Sequence, residues 1–431
     1  MDPGAPQLSS LRDEVREFLR NALPAGWIDA VDAGDQAALV EARTGFDRAA
    51  WQVTLGRRGW VAPTWPRAWG GDERSVDEAR LIAAALAEHR VPIGPGGAGL
   101  TLAAPTLIAH ASEETKRRFL PRIVTGEELW CQLFSEPGAG SDLAAVGTRA
   151  ERDGDEWIVS GQKVWTTMGH VSHFAMLLTR TNPDAPKHKG ITYFACDLRS
   201  PGVDVRGLRQ LTGESEFNEV FLTEVRIPDL HRISPVDEGW AATLTTLANE
   251  RVALSGGGGD RTATASASIL GGLRLDAVLA LAAERGAGRD PRLRDRLARA
   301  VIDQRVLDLT IRRAATNRRA AAAPGPEGSV TKLAKALHNQ RLQLLAVDLL
   351  GAQGQAWSGP SLYDALGRPD WELGEALEGA PLVVRGMLRS RANTLEGGTA
   401  EILRNILSER VLGLPGDVRV DRDAPWRSLP R

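Results

Sequence analysis

The residue types best suited to chemistry in this chain are concentrated between positions 132 and 167. Residues 135–142 read Ser-Glu-Pro-Gly-Ala-Gly-Ser-Asp, a loop rich in backbone N–H groups and small hydroxyls. Because glycine lets a backbone approach a ligand closely, such a loop suits a phosphate or the polar edge of a ring. After a strand-like run, Trp165 is followed by Thr166 and Thr167. A flat indole beside two hydroxyls can stack on a ring and hydrogen-bond to its rim.

Two further segments supply carboxylates. Residues 247–253 read Leu-Ala-Asn-Glu-Arg-Val-Ala, and residues 393–405 read Asn-Thr-Leu-Glu-Gly-Gly-Thr-Ala-Glu-Ile-Leu-Arg-Asn. A carboxylate held away from water can act as a general base. The usual place of an Asn-Glu-Arg triplet is a solvated helix face with a local ion pair, so Glu250 becomes a candidate base only in the company of other site residues. The histidines form neither a metal-ligand set nor a catalytic triad, and we predict no metal.

The bulk properties restrict the class of protein. The 431 residues are 42% hydrophobic and 25% charged, as in globular proteins, and the length allows about three domains. A net charge of -2 gives no general attraction to nucleic acid or to an anionic membrane. The longest apolar stretches, such as residues 81–86, are too short to span a bilayer, and the N-terminus has no signal-peptide pattern. Two cysteines, Cys131 and Cys196, fit a reducing compartment, so we expect a cytoplasmic protein without nucleic-acid partners or membrane insertion.

The elements that must position these residues change in type along the chain. Helical periodicity extends to about residue 126, with helices predicted at 77–89, 100–110 and 113–120. Short β-rich runs follow at 157–160, 173–179, 191–197, 203–208 and 218–225. Helices return through residue 250 and at 293–323, 330–350 and 400–411. The absence of βαβ alternation argues against a Rossmann fold. We predict an α+β protein with an N-terminal α-helical domain (1–126), a middle antiparallel β domain (127–235) and a C-terminal helical bundle (236–431).

The 135–142 loop, Trp165 with its threonines, and the 393–405 segment resemble the signatures of the acyl-CoA dehydrogenase family. The resemblance covers nearly the whole chain, including the order of helical, β and helical parts. It implies FAD-dependent α,β-dehydrogenation of an acyl-CoA thioester to the trans-2-enoyl-CoA, within fatty acid and lipid metabolism. It also implies an electron-transfer flavoprotein or a similar acceptor as partner.

The resemblance assigns site residues by position. Flavin contacts are expected from Leu133, Phe134, Ser135, Gly140, Ser141, Trp165, Thr166, Thr167, Thr399 and Glu401. In the family, the tryptophan lies against the flavin ring and the last threonine of this segment lies near its redox-active nitrogen. Substrate contacts are expected from Ser141, Arg251, Gly397 and Gly398.

The catalytic base cannot be carried over from the C-terminal signature. In many members the residue directly before the Gly-Thr pair is the catalytic glutamate, but here it is Gly397, and Glu396 is one residue too early. Residues 247–253 match the segment of isovaleryl- and long-chain-type members in which the base lies on this helix. We therefore predict Glu250 as the base. Arg251 would orient its carboxylate or lie near the CoA phosphates, and a flavin ribityl hydroxyl and a backbone N–H around Gly397 would bind the thioester oxygen.

Departures from the family pattern leave the assembly and the exact role of the chain open. The Arg-x-x-Phe-Gly element that holds the flavin diphosphate is absent from residues 284–294, and the amide-and-diglycine contact is reduced to Asp348 and residues 351–354. The chain therefore either forms a homo-oligomer (dimer or tetramer) or is a catalytic or supporting subunit of a heterotetramer with a sister chain. The same fold also accommodates a non-catalytic partner and a flavin oxidase or monooxygenase.

The acyl group is not specified by any motif. Small residues near the expected pocket favour a bulky or branched group, namely Ala84, Ala85, Gly96, Gly97, Gly256 and Gly257.

Overall fold

The computed structural model describes residues 5–91, 97–254, 272–320, 327–355, 380–416, 418, 421 and 423–429. In these residues a helical N-terminal part precedes a seven-stranded sheet, and helices follow it. The predicted fold class is therefore confirmed. No described helix has the length and apolar character needed to cross a membrane.

The N-terminal part is built of short helices. They are α1 (Ala5–Ala22), α2 (Trp27–Ala33), α3 (Gln36–Ala42), α4 (Arg48–Arg57), α5 (Val76–Glu88), α6 (Ala104–His110) and α7 (Glu113–Thr125). Helices α1–α5 share one apolar cluster, and α6 and α7 pack against the sheet. Leu11, Val15 and Leu19 recur every four residues on α1 and pack with Trp51 and Leu55 of α4. Helix α5 begins with a capping box. The Ser75 hydroxyl accepts a hydrogen bond from the Glu78 N–H, and the Glu78 carboxylate accepts one from the Ser75 N–H.

The middle part is a mixed sheet. Its strands are β1 (Trp130–Leu133), β2 (Arg149–Asp153), β3 (Glu156–Thr167), β4 (Phe174–Arg180), β5 (Ile191–Asp197), β6 (Val203–Leu208) and β7 (Phe217–Pro228). The order is β1-β4-β2-β3-β7-β6, with β5 beside β4. Four pairs are antiparallel, as expected, whereas β1 and β2 pair with β4 in parallel. Because β1 is four residues long and leads straight into a loop, its sequence carries too few alternations to reveal it.

Apolar residues cover both faces of the sheet. On one face, Tyr193 packs in a cluster with Leu107 and Phe119 of the N-terminal helices and Ala242 of the following helix. On the other face, Val159, Phe194 and Val220 belong to a second cluster. One face of the sheet therefore packs against helices of the N-terminal part and against the helix that follows the sheet.

The C-terminal part contains α8 (Gly239–Leu254), α9 (Leu275–Glu284), α10 (Pro291–Ala320), α11 (Glu327–Leu350), α12 (Ala380–Ser390) and α13 (Ala400–Arg410). Leu342, Leu345 and Leu349 of α11 pack with Val278 of α9 and Val383 of α12. The predicted small residues Gly96, Gly256 and Gly257 lie outside the described residues. Another of that set, Ala85, is buried in the N-terminal core, so its small size serves helix packing.

Candidate active site

The glycine-containing loop at 135–142 is anchored by a buried ion pair. Lys163, which is 0% exposed, donates to the Glu136 carboxylate at 2.8 Å and to the Phe134 carbonyl at 3.1 Å. The same carboxylate accepts hydrogen bonds from the Gly147 and Thr148 backbone N–H groups at 2.7 and 2.9 Å. Burial alone would raise the pKa of Glu136, but the Lys163 charge and these hydrogen bonds hold it below its ordinary value.

The tip of this loop is open, whereas the two residues just before the loop face inward. Gly140 and Ser141 are exposed, and a Cβ added at Gly140 would meet no atom within 4 Å. The Leu133 and Phe134 side chains are buried in the core, so these two positions present only their backbone to a ligand. Contacts of this loop with a ligand would therefore come from main chain and from the Ser135 and Ser141 hydroxyls.

Trp165 is presented to solvent by an irregularity in strand β3. The β3–β7 register shifts between Lys163 and Thr166, and Trp165 has φ 61. This left-handed conformation is rare for a bulky residue and costs about 1–3 kcal/mol, which is typical of functional sites. The indole is 63% exposed, and its edge meets the Phe217 ring at 6.2 Å between centroids. A large apolar ring held outward in a strained conformation is a surface for stacking.

The two threonines after this tryptophan face opposite ways. Thr167 is exposed beside Trp165, whereas Thr166 is fully buried and its hydroxyl has no hydrogen-bond partner among the described residues. The sequence predicted flavin contacts at both threonines and placed Thr167 near the redox-active nitrogen. The structure gives the exposed hydroxyl to Thr167 and leaves only the Thr166 backbone for a ligand.

Glu250 lies on α8, half-buried, beside the start of the loop. Burial raises the pKa of Glu250, while the polar Gln132 side chain and the Arg251 charge lower it. The Glu396 carboxylate raises the same pKa further and the Lys332 ammonium lowers it. Glu250 is therefore close to both of the other candidate segments, as the predicted site requires. Sequence reasoning missed Gln132, although its place between buried Cys131 and Leu133 on β1 puts it on the half-buried face.

Arg251 is half-buried rather than free in solvent. Burial lowers its pKa, and the neighbouring Glu250 carboxylate opposes that effect. A Cβ at Gly328, near the start of α11, would lie 3.6 Å from the Arg251 Cβ. This packing supports a role beside the Glu250 carboxylate over one at solvent-exposed phosphates.

Glu396 is held in a separate ion-pair network. Arg389 donates to its two carboxylate oxygens at 3.2 and 3.0 Å, and the Asn393 amide donates at 3.1 Å. The next two residues, Gly397 and Gly398, have φ 60 and φ 91, a left-handed conformation that glycine adopts without strain. The turn after Glu396 therefore favours glycine at both positions. Glycine at 397 fits this backbone conformation, although it leaves no carboxylate there.

The residues that follow the turn have structural partners. Thr399 caps α13, its hydroxyl accepting a hydrogen bond from the Ile402 N–H at 3.2 Å. Glu401 lies on the exposed face of α13 and pairs with Arg404 at 3.0 Å. The structure thus brings Glu250 near the glycine turn and leaves Glu401 at the surface.

Three family models together match most of the chain. They are the acyl-CoA dehydrogenase N-terminal domain at residues 6–127, the middle domain at 131–225 and the C-terminal domain at 237–412.

Two curated relatives come from Mycobacterium tuberculosis. The acyl-CoA dehydrogenase FadE34 is 37% identical over 373 residues, which are 84% of this chain and 46% of that protein. The acyl-CoA dehydrogenase IpdE1 is 36% identical over 413 residues, which are 94% of this chain and 99% of that protein. This chain therefore spans less than half of FadE34 and nearly all of IpdE1.

Solved structures give the same picture. The Tcur3481-Tcur3483 steroid ACAD is similar with a TM-score of 0.68 and 26% identity, over 97% of this chain and 99% of that one. The ChsE4-ChsE5 complex from Mycobacterium tuberculosis has a TM-score of 0.63 and 24% identity, over 96% and 98% of the two chains, and shares the fold.

Proposed function

The chain belongs to the acyl-CoA dehydrogenase family and is an oxidoreductase that dehydrogenates acyl-CoA thioesters, and on this premise we propose that it uses FAD with Glu250 as the base. One observation carries the proposal. The Glu250 carboxylate is half-buried, beside the Gln132 side chain and within electrostatic reach of the glycine turn, whereas the neighbouring Glu396 is bound by Arg389.

The residues around Trp165 fit a flavin. An exposed indole at positive φ, the exposed Thr167 hydroxyl and the open space above Gly140 form a surface that suits a flat ring with polar edges. Trp165 and Thr167 would hold the ring, and the Ser135 and Ser141 hydroxyls with the loop backbone would hold polar groups. When bound, FAD would accept the two electrons and the hydrogen that leave the β-carbon of the substrate.

Glu250 would remove the proton from the α-carbon of the thioester. A solvated glutamate, with a pKa of about 4.3, is too weak a base to do this efficiently. Burial raises the pKa of Glu250, which makes its carboxylate a stronger base. Gln132 would fix the orientation of the carboxylate because its amide comes from the rigid sheet rather than from α8.

The turn at Gly397 would bind the thioester oxygen. Charge develops on that oxygen as the α-proton leaves, and a backbone N–H aimed at it stabilises the charge without reorganisation. Gly397 lies in a turn, and among the described residues no backbone carbonyl accepts a hydrogen bond from its N–H. This N–H is therefore available to a ligand, which supports the assignment.

We further propose that the partner is a sister acyl-CoA dehydrogenase chain. The steroid ACAD and the ChsE4-ChsE5 structure are both two-component complexes by name. Helix α10 exposes Ile302, Val306 and Leu309 by 60, 57 and 51%, at a spacing that places them on one face. The absent Arg-x-x-Phe-Gly element would then be supplied by the sister chain. The acyl group we propose is bulky and polycyclic, as the name of the steroid ACAD indicates for that protein.

Expression of the chain alone and together with candidate sister chains tests these proposals. We expect little FAD in the chain alone, about one FAD per site in a mixed complex, and anaerobic reduction of a dye with steroid-side-chain acyl-CoA. A fully flavinated, active homotetramer would contradict the sister-chain proposal. Absence of reduction with short, long, branched and steroid acyl-CoAs in any assembly would contradict the proposed activity, and rapid reoxidation by oxygen would indicate an oxidase.

A further inference from the structure

Lys332 binds the backbone of the glycine turn from the opposite helix. It lies on α11, is 5% exposed, and donates to the Asn393 carbonyl at 3.0 Å and to the Gly398 carbonyl at 2.7 Å. These two carbonyls bracket Gly397, whose N–H is the proposed donor to the thioester oxygen. One ammonium therefore fixes both ends of the short segment that the substrate must meet.

The surroundings of Lys332 are unusual for a buried cation. Its hydrogen bonds go to neutral carbonyls, and burial lowers the pKa of Lys332 while the Glu396 and Glu250 carboxylates raise it. Glu396 is already bound by Arg389. The charge of Lys332 thus acts on Glu250 without forming a closed pair with it. Burying an amine at a cost in solvation makes sense where the charge or the geometry is used.

We propose that Lys332 is a positioning residue of the active site. It holds the 393–398 segment in the geometry that aims the Gly397 N–H at the thioester oxygen. It also supplies positive charge to the space between Glu250 and Glu396. This proposal rests on the proposed function. It assigns Lys332 two separable effects. The geometric effect needs a donor to the two carbonyls, and the electrostatic effect needs a charge.

The electrostatic effect has a defined direction. The groups that act on Glu250 are Gln132 from β1, Arg251 from its own helix, Glu396 from the turn and Lys332 from α11. Loss of the Lys332 charge leaves Arg251 as the remaining cation of this set. The carboxylate form of Glu250 is then less favoured, so its pKa rises.

Three substitutions separate the two effects. Lys332→Met removes both, Lys332→Gln keeps a donor without the charge, and Lys332→Arg keeps both. Lys335→Met is the comparison variant, because Lys335 is a half-buried lysine on the same helix and burial also lowers its pKa.

Binding reports the geometric effect without turnover. We compare by calorimetry an enoyl-CoA, which carries the thioester oxygen, with an S-alkyl-CoA, which lacks it. We expect Lys332→Met to weaken enoyl-CoA binding roughly tenfold and S-alkyl-CoA binding less than about threefold, as for loss of one aimed hydrogen bond. The enoyl-CoA affinity of Lys332→Gln should lie between those of Lys332→Met and wild type, and that of Lys332→Arg should be near wild type. Equal weakening of both ligands, with the same effect from Lys335→Met, would overturn the positioning role.

The pH dependence of kcat/KM reports the electrostatic effect. We expect the acid limb to move to higher pH in Lys332→Met and Lys332→Gln and to stay in place in Lys332→Arg. An acid limb that stays in place in all three Lys332 variants would overturn the electrostatic effect. If Lys332→Met does not fold, Lys332→Gln and Lys332→Arg still decide both questions. If wild-type protein has no dehydrogenase activity the proposed function fails, and the ligand comparison still tests the role of Lys332.

Discussion

Arg389 binds Glu396 through both carboxylate oxygens, at 3.2 and 3.0 Å, from a helix packed against the turn that Glu396 begins. The Arg389 Nε also lies 3.3 Å from a carboxylate oxygen of Glu216, the residue just before β7. Glu396 is therefore part of a network that joins the C-terminal turn to the β domain. An acid so engaged is poorly placed to take a substrate proton, whereas Glu250 lies beside the neutral Gln132 side chain and has a raised pKa.

The Lys163–Glu136 pair should determine the stability of the loop. Lys163→Met leaves a largely buried carboxylate without its cation, and we expect a loss of about 3–5 kcal/mol in the free energy of unfolding, measured with urea. Because the pair anchors the 135–142 loop, the FAD content should fall as well. The double variant Lys163→Met with Glu136→Gln should recover part of the stability. A single-variant loss below about 1 kcal/mol would show that the pair is dispensable.

Trp165 should affect FAD binding and stability in opposite directions. Trp165→Gly removes an exposed ring and relieves the positive φ, so the flavin-free protein should be as stable as wild type or more stable by up to about 1 kcal/mol. FAD affinity should fall at least about tenfold. Thermal unfolding and flavin titration measure the two effects. Trp157→Ala is the control, because that buried indole supports the core and its loss should cost about 3–5 kcal/mol. Unchanged FAD affinity in Trp165→Gly would rule out stacking.

The C-terminal segment should stabilise the β domain through Trp426. Its ring nitrogen donates to the Ala145 carbonyl at 3.0 Å and its ring lies under the Arg180 guanidinium, at 5.0 Å. Trp426→Ala should cost about 3 kcal/mol in thermal or urea unfolding. The neighbouring Arg427→Ala removes an exposed ion pair and should cost at most about 1 kcal/mol. Equal effects of the two substitutions would contradict this account.

The sequence predicted the parts that depend on local pattern. Strands at 191–197 and 203–208 have the predicted bounds because β-rich runs between turn residues mark them clearly. The loop at 135–142 was identifiable because glycine, proline and hydroxyl residues at fixed spacing reflect a backbone requirement. Glu250 is predicted as the base because Gly397 lacks the side chain that the reaction needs, and this assignment stays a prediction.

The parts that depend on tertiary contact could not be predicted. Lys332 lies far from the turn in sequence and reaches it only because α11 packs beside it. Gln132 of β1 acts on the pKa of Glu250 of α8, which is far from it in sequence. The burial of the Thr166 hydroxyl follows from a register shift in β3 that no periodicity reveals. The site residues as a set stay a prediction until the substitutions are made.

The pH dependence should report the raised pKa of Glu250. The base must be deprotonated, so kcat/KM should fall as the pH decreases through a pKa above the ordinary carboxyl value of about 4.3. Gln132→Leu removes the polar side chain that lowers this pKa, so its acid limb should move to higher pH. His170→Gln, at an exposed position, should leave the limb in place. An acid limb at the ordinary carboxyl pKa in wild type and Gln132→Leu would refute a half-buried base.

The most direct measurement is anaerobic reduction of bound FAD by acyl-CoA in Glu250→Gln and Glu396→Gln. We expect Glu250→Gln to keep its FAD and to stay yellow on substrate addition, with a reduction rate lower by at least about 10²–10⁴. Glu396→Gln should be less stable, because Arg389 loses a partner, and should still be reduced. Reduction of Glu250→Gln together with an inactive, flavin-containing Glu396→Gln would contradict the assignment of the base.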